Sequence, residues 1–79
     1  MERTTIFDKV SNVLRKVLND PNLILTNDMT ASDVSQWDSL SHMVIIVEIE
    51  EMFDIKIKLK ELNKMRNIGD MVDIIISKL

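Results

Sequence analysis

Gln36-Trp37-Asp38-Ser39-Leu40-Ser41-His42-Met43 runs directly into Val44-Ile45-Ile46-Val47-Glu48-Ile49-Glu50-Glu51-Met52-Phe53, and on this stretch the fold turns. Short polar side chains stand ahead of an apolar run, which is how a helix begins in sequence. Asp38 and Ser39 both suit the N-cap, since each carries a side-chain oxygen within reach of the first free backbone N–H groups. The first turn then has unpaired donors and the positive end of the helix dipole. An anionic group attached there is stabilised without a dedicated pocket.

The helix is too apolar for an ordinary surface helix. Counting back from Phe53 at helical spacing gives Ile49, Ile46, Ile45 and His42, enough for one core-facing stripe. Leu40, Met43, Val44, Val47 and Met52 are left on the flanks. A chain of 79 residues cannot wrap a helix on every side, so these flanks are expected to be kept for something else.

Composition bounds the rest. The length fits one domain, residues 1–79, and apolar residues at 46% are enough for a folded core. A single Gly and a single Pro favour helix over sheet. There is no cysteine, hence no disulfide, thiolate ligand or thiol nucleophile; thioester chemistry would need a sulfur from a prosthetic group. Met1-Glu2-Arg3-Thr4-Thr5 does not read as a signal peptide, and Glu48 interrupts the longest apolar run well short of a membrane span. A cytoplasmic protein with no membrane partner is expected.

Ahead of the deciding stretch, Thr4 or Thr5 can cap a first helix with Asp8 in its first turn. Ile6, Phe7, Val10, Val13, Leu14, Val17 and Leu18 then repeat at the helical period. Asn19-Asp20-Pro21 ends it, because Pro21 disfavours the helical region at Asp20. Asn22 to Gln36 reads as a long connection, with Leu25, Met29 and Val34 as its anchors to the core. Trp37 either serves a partner as a hot spot or, as preferred, packs against the loop and sets the angle of Ser39.

Beyond Phe53, Ile55-Lys56-Ile57-Lys58-Leu59-Lys60 alternates with the period of a half-buried strand. No second strand can be found in the sequence to pair with it. The segment is therefore expected to be an extended connector plugged by Ile55 and Ile57, passing into a short helix near Leu59–Lys64. Asn67-Ile68-Gly69-Asp70 looks like another N-cap with an acid at N3. The last helix would carry Ile68, Met71, Val72, Ile75 and Leu79 on one face.

Asp38-Ser39-Leu40 after Trp37, opening an apolar-acidic helix in mid-chain after a long loop, resembles the acyl carrier protein family. The Glu51-Met52-Phe53-Asp54-Ile55-Lys56-Ile57 segment adds to the likeness, which covers nearly the whole chain. The resemblance implies an all-α fold: a small four-helix bundle with a long first loop and a short third helix. It further implies that Ser39 bears 4′-phosphopantetheine, covalently attached from coenzyme A by a phosphopantetheinyl transferase, and that Asp38 helps orient that encounter. The protein would be a monomeric carrier rather than an enzyme, passing an acyl thioester between synthases, acyltransferases or ligases. Leu40, Met43, Val44, Val47 and Ile57 match the family's partner-facing surface or the mouth of its acyl pocket. Glu50 and Glu51 match its acidic contacts to basic enzymes.

Two departures from the family's fatty-acid carriers stand out. Val44 replaces an acidic residue, and Lys56, Lys58, Lys60, Lys64 and Arg66 make the third-helix region basic. With Gln36-Trp37 in place of small residues before the Asp-Ser-Leu, the chain looks closer to discrete carriers of polyketide-like or other specialised pathways. A fatty-acid carrier and an aminoacyl or D-alanyl carrier are the alternatives, and an unmodified helical interaction module is the alternative of another class.

Other chemistry fits less well. Ser39 and His42 are three apart and could touch, but Asp38 cannot orient the imidazole from behind, and no Gly-rich turn offers an oxyanion hole. His42 is expected half-exposed on the flank. Glu50, Glu51 and Asp54 lack the alternating ligand loop of a calcium site, so no metal is expected. The basic residues sit beside an acidic helix in a chain of net charge -3, which argues against nucleic acid.

Overall fold

The architecture follows from three helices, each with an apolar face that cannot stand alone in water. In the computed structural model, which describes residues 2–79, helix α1 spans Arg3–Val17, α2 Ser39–Phe53, α3 Leu59–Leu62 and α4 Ile68–Lys78, with a 3₁₀ turn at Ala31–Asp33. Met1, where the sequence reading of the amino terminus begins, lies outside the described residues. Helices of 15 residues or fewer are marginal in water, so burial of their apolar faces decides whether they form. Helix α1 packs against both α2 and α4. Ile6, Val10 and Leu14 of α1, Ile45 and Ile49 of α2, and Ile68, Val72 and Ile75 of α4 are completely enclosed. Each such side chain contributes about 1.5–3 kcal/mol by leaving water. This is the all-α four-helix arrangement expected from the sequence, with no strand among the described residues.

The helix ends are set by local chemistry that the sequence only partly reveals. Helix α1 starts at Arg3 after Glu2 with no side-chain cap, which corrects the expectation of Thr4 or Thr5. Its start is held instead by Arg3, whose guanidinium pairs with Asp73 of α4 and donates to Asn27 Oδ1 at 3.3 Å. Pro21 does not end the helix. Asn19 takes the left-handed conformation (φ 55°), and the Asp20 N–H returns to the Arg15 carbonyl at 2.9 Å, closing a Schellman turn two residues before the proline. Helix α2 stops the same way: Asp54 is left-handed (φ 53°) and the Ile55 N–H reaches the Glu50 carbonyl at 3.1 Å. Asn and Asp are the residues that tolerate this conformation best after glycine.

The long loop is bound down at three points. Leu25 and Val34 are buried and Met29 is half-buried against the core, as expected. At its middle, the Ile68 N–H donates to Met29 O (3.0 Å) and the Gly69 N–H to Asn27 O (2.9 Å), so the loop uses the free donors of the α4 start. Asn67 caps α4 by accepting the Asp70 N–H at 2.8 Å. Leu79 departs from the expected apolar face: it follows the last helical residue and stands 56% exposed.

The alternating segment after α2 is extended but unpaired with any strand. Ile55 is buried and Ile57 half-buried against the core, while Lys56 and Lys58 point to water. Two of its donors are satisfied by α2, the Ile55 N–H by the Glu50 carbonyl and the Ile57 N–H by Glu50 Oε2 at 2.8 Å, and a third, the Lys58 N–H, by Glu61 of α3. Period two here reports a strip lying on a bundle. Helix α3 then covers only Leu59–Leu62 of the expected range and trails into turns at Lys64 and Met65.

Candidate functional site

Asp38 is the N-cap of α2, and Ser39 is its first helical residue. The Asp38 carboxylate accepts the Ser41 N–H at 2.9 Å, and the Ser41 hydroxyl accepts the Asp38 N–H at 2.9 Å, completing a capping box. The Ser41 hydroxyl in turn donates to Gln36 O at 3.0 Å, tying the helix start to the loop before it. The Ser41 N–H is the main reason the Asp38 carboxyl lies below the usual carboxylate range. Ser41 has no place among the residues picked out from the sequence, although a hydroxyl at N3 of a cap is a readable signal.

Trp37 is buried, which removes the reading of it as a partner hot spot. Its indole N–H donates to His42 Nδ1 at 3.0 Å, and the two rings stack with centroids 5.9 Å apart and planes at 25°. His42 is accordingly half-buried, and burial holds its pKa below the ordinary imidazole value. This link was not foreseen from the sequence. Its signal was present all the same, as an aromatic donor and an imidazole acceptor five residues apart across a helix start. With Nδ1 so engaged and Ser39 outside the bond, the three residues do not assemble a hydrolytic triad.

The hydrogen bonds of this corner run through Gln36, Trp37, Asp38, Ser41 and His42 and leave the Ser39 hydroxyl out. Ser39 is exposed on a rigidly held first turn. An exposed, uncommitted hydroxyl beside the positive end of a 15-residue helix fits a covalently attached phosphodiester, and the cysteine-free chain would gain its thiol from such a group.

The flanks of α2 are as exposed as expected, with Leu40 at 76% and Met43, Val44 and Val47 between 45% and 49%. Leu40 and Val44 line a shallow groove of about 400 Å³ with Asp38, Ser41 and Val17 of α1. Val47, Glu50 and Glu51 meet around a second groove nearer the C-terminus of α2, together with Asp54 and Lys56. Met43 lines neither groove, and Ile57 turns inward to the core. Glu50 is committed to the Ile57 N–H, whereas Glu51 and Asp54 stay exposed. Leu59 of α3, 76% exposed, joins the exposed apolar residues without having been singled out in the sequence. No helix among the described residues is long and apolar enough to cross a membrane.

Comparison with known proteins agrees with this geometry. A family profile described as a phosphopantetheine attachment site matches residues 8–75. The chain is 31% identical over 75 residues to the acyl carrier protein of Borreliella burgdorferi, covering 95% of this chain and 94% of that one. It is 29% identical to the acyl carrier protein of Thermosynechococcus vestitus, over 100% of this chain and 98% of the other. The solution structure of the holo acyl carrier protein from Geobacter metallireducens superposes with a TM-score of 0.86 at 40% identity, covering 91% of this chain and 83% of that chain. The chain therefore belongs to the phosphopantetheine-bearing acyl carrier protein family, a carrier that acyl-pathway enzymes act upon and not itself an enzyme.

Proposed function

We propose that Ser39 is the attachment point of 4′-phosphopantetheine and that the chain works as one carrier unit in a specialised, polyketide-like acyl pathway. The observation that carries the first part is the exposed Ser39 hydroxyl at the first helical position of α2, free of the hydrogen bonds that lock its neighbours. In the loading reaction Ser39 Oγ forms a bond to the pantetheine-side phosphorus of coenzyme A. The pyrophosphate bond breaks, adenosine 3′,5′-bisphosphate leaves, and the hydroxyl proton passes to a base of the transferase. The mounted group then supplies the thiol that holds an acyl chain.

Leu40, Met43, Val44 and Val47 form the apolar centre of the partner face in this reading, supported by their joint exposure along the helix that Ser39 opens. Asp38 stands at its edge, and Glu51 supplies acidic docking charge. Glu50 lines the second groove while holding the N–H of Ile57, which itself packs inward. The specialised pathway is supported by exposed Lys56, Lys58, Lys60, Lys64 and Arg66, a charge pattern that attracts acidic surfaces and repels basic ones. Fatty-acid and D-alanyl carriage remain the rival roles.

Incubation with coenzyme A, magnesium and a broad-specificity phosphopantetheinyl transferase, read by intact mass, tests the attachment. Gain of one phosphopantetheinyl group, abolished in Ser39→Ala, is the expected result. An unchanged wild-type mass would instead favour an unmodified interaction module.

A further inference from the structure

Trp37 and His42 stand on opposite sides of Ser39 in the chain and are joined to each other. Trp37 closes the long loop, its backbone N–H bonded to Val34 O at 3.1 Å. His42 belongs to the start of α2, its backbone N–H bonded to Asp38 O at 2.9 Å. The 3.0 Å bond from the indole N–H to Nδ1 thus bridges the junction at which the loop becomes the helix. That bond requires Nδ1 to be unprotonated, because an imidazolium has two donors and no acceptor.

We propose that His42 is a positioning residue for the loading of Ser39, tying Trp37 to the first turn of α2 as a neutral ring and releasing it as a cation. This rests on Ser39 being the attachment point. Among the described residues no carboxylate forms an ion pair with the His42 ring. Arg66, from the segment before α4, lines the same small cavity of about 40 Å³ as Trp37 and His42, and it is itself held by Asp70 at 3.4 Å. The Asp38 carboxylate is occupied by Ser41, and the Asp33 carboxylate of the 3₁₀ turn by the Thr30 N–H. Lys16 of α1 is paired with Glu48. A positive charge at His42 would sit on a half-buried ring, which burial already disfavours.

The test uses the unmodified chain with His42→Gln, whose side-chain carbonyl accepts but does not titrate, and His42→Phe, which cannot accept. The indole N–H resonance of the single Trp is followed by NMR from about pH 8 to about pH 5. In the wild type it is expected to shift in one step coincident with the His42 ring signals, and in His42→Gln to stay put. Alongside, KM and kcat for each carrier are measured with coenzyme A and one broad-specificity transferase. The wild-type KM, taken as a ratio to that of His42→Gln to cancel the transferase's own titration, should rise roughly threefold to tenfold on the acid side with kcat little changed. His42→Phe should carry the raised KM at every pH; if it does not fold, the ratio decides alone. An indole signal indifferent to His42, or a flat ratio with normal loading, overturns the positioning role. Absence of any mass gain at any pH overturns the carrier reading and this role with it.

Discussion

The Asp38 carboxylate and the Ser41 hydroxyl each accept the other residue's backbone N–H at 2.9 Å, so the first turn of α2 is clasped from both ends. Breaking either half leaves the other without its geometry. Ser41→Ala should cost about 1 kcal/mol in denaturant unfolding. Asp38→Ala should also destabilise, and the double variant should fall short of the sum of the two. Additive losses would show that the bonds act independently. The clasp also has a pH signature. Because Asp38 is held below its unfolded value of 3.8, its contribution is fully present above that value and is lost as pH falls through the lower folded value.

Gly69 lies where the long loop crosses the start of α4. A Cβ built there would stand 3.2 Å from Asn27 O, the oxygen that the Gly69 N–H holds at 2.9 Å. Alanine is worth about 1 kcal/mol over glycine inside a helix, but here its methyl presses on the acceptor of its own backbone bond. Gly69→Ala is expected to be net destabilising, with faster amide exchange at Gly69's position and at Ile68. A stabilised variant would mean that Asn27 moves aside freely.

These two sites mark what the sequence could and could not tell. The α2 start was legible because a cap, a serine and an apolar run are local signals, and the flanks followed from counting one helical face. The apolar stripes of α1 and α4 were legible for the same reason. The way α1 ends was not, since Asn19 and Pro21 are both competent terminators and only backbone geometry shows that Asn19 acts first. Arg3 displaces the threonine caps through Asp73, a residue far along the chain and invisible to any local window. The same holds for Glu50, which reads as a surface acid on its helix but is drawn onto the Ile57 N–H by the path of the following connector.

Lys78 Nζ sits 2.8 Å from Glu61 Oε1, with both side chains 19% exposed, and the same Glu61 oxygen accepts the Lys58 N–H at 2.8 Å. This pair ties short α3 to the end of α4. Lys78 first, and the Lys58 N–H second, hold the Glu61 carboxyl below its ordinary value of 4.5. The stabilisation it gives is present above that value and lost as pH falls through the lowered folded one. Glu61→Gln should destabilise at neutral pH and flatten this part of the acid unfolding profile. An acid limb unchanged from wild type would sever the link between α3 anchoring and this carboxylate.

Helix α2 should show opposite responses on its two faces. Ile49 is fully enclosed in the core, whereas Leu40, in the first turn, is 76% exposed. A chain of 79 residues has a total stability of about 4–12 kcal/mol, so truncating Ile49 to alanine, at about 2–5 kcal/mol, risks unfolding it. Ile49→Val, at about 1 kcal/mol, is the measurable change and should lower stability while leaving loading kinetics in the folded range untouched. Leu40→Ala should stay within about 0.5 kcal/mol of wild type in denaturation. If Leu40 belongs to the partner face, that same variant should raise KM for the transferase several-fold, because it removes apolar contact area beside Ser39 without disturbing the core. Equal KM with unchanged stability would leave Leu40 outside the transferase contact. A marked loss of stability would mean that its methyl groups cover the core after all.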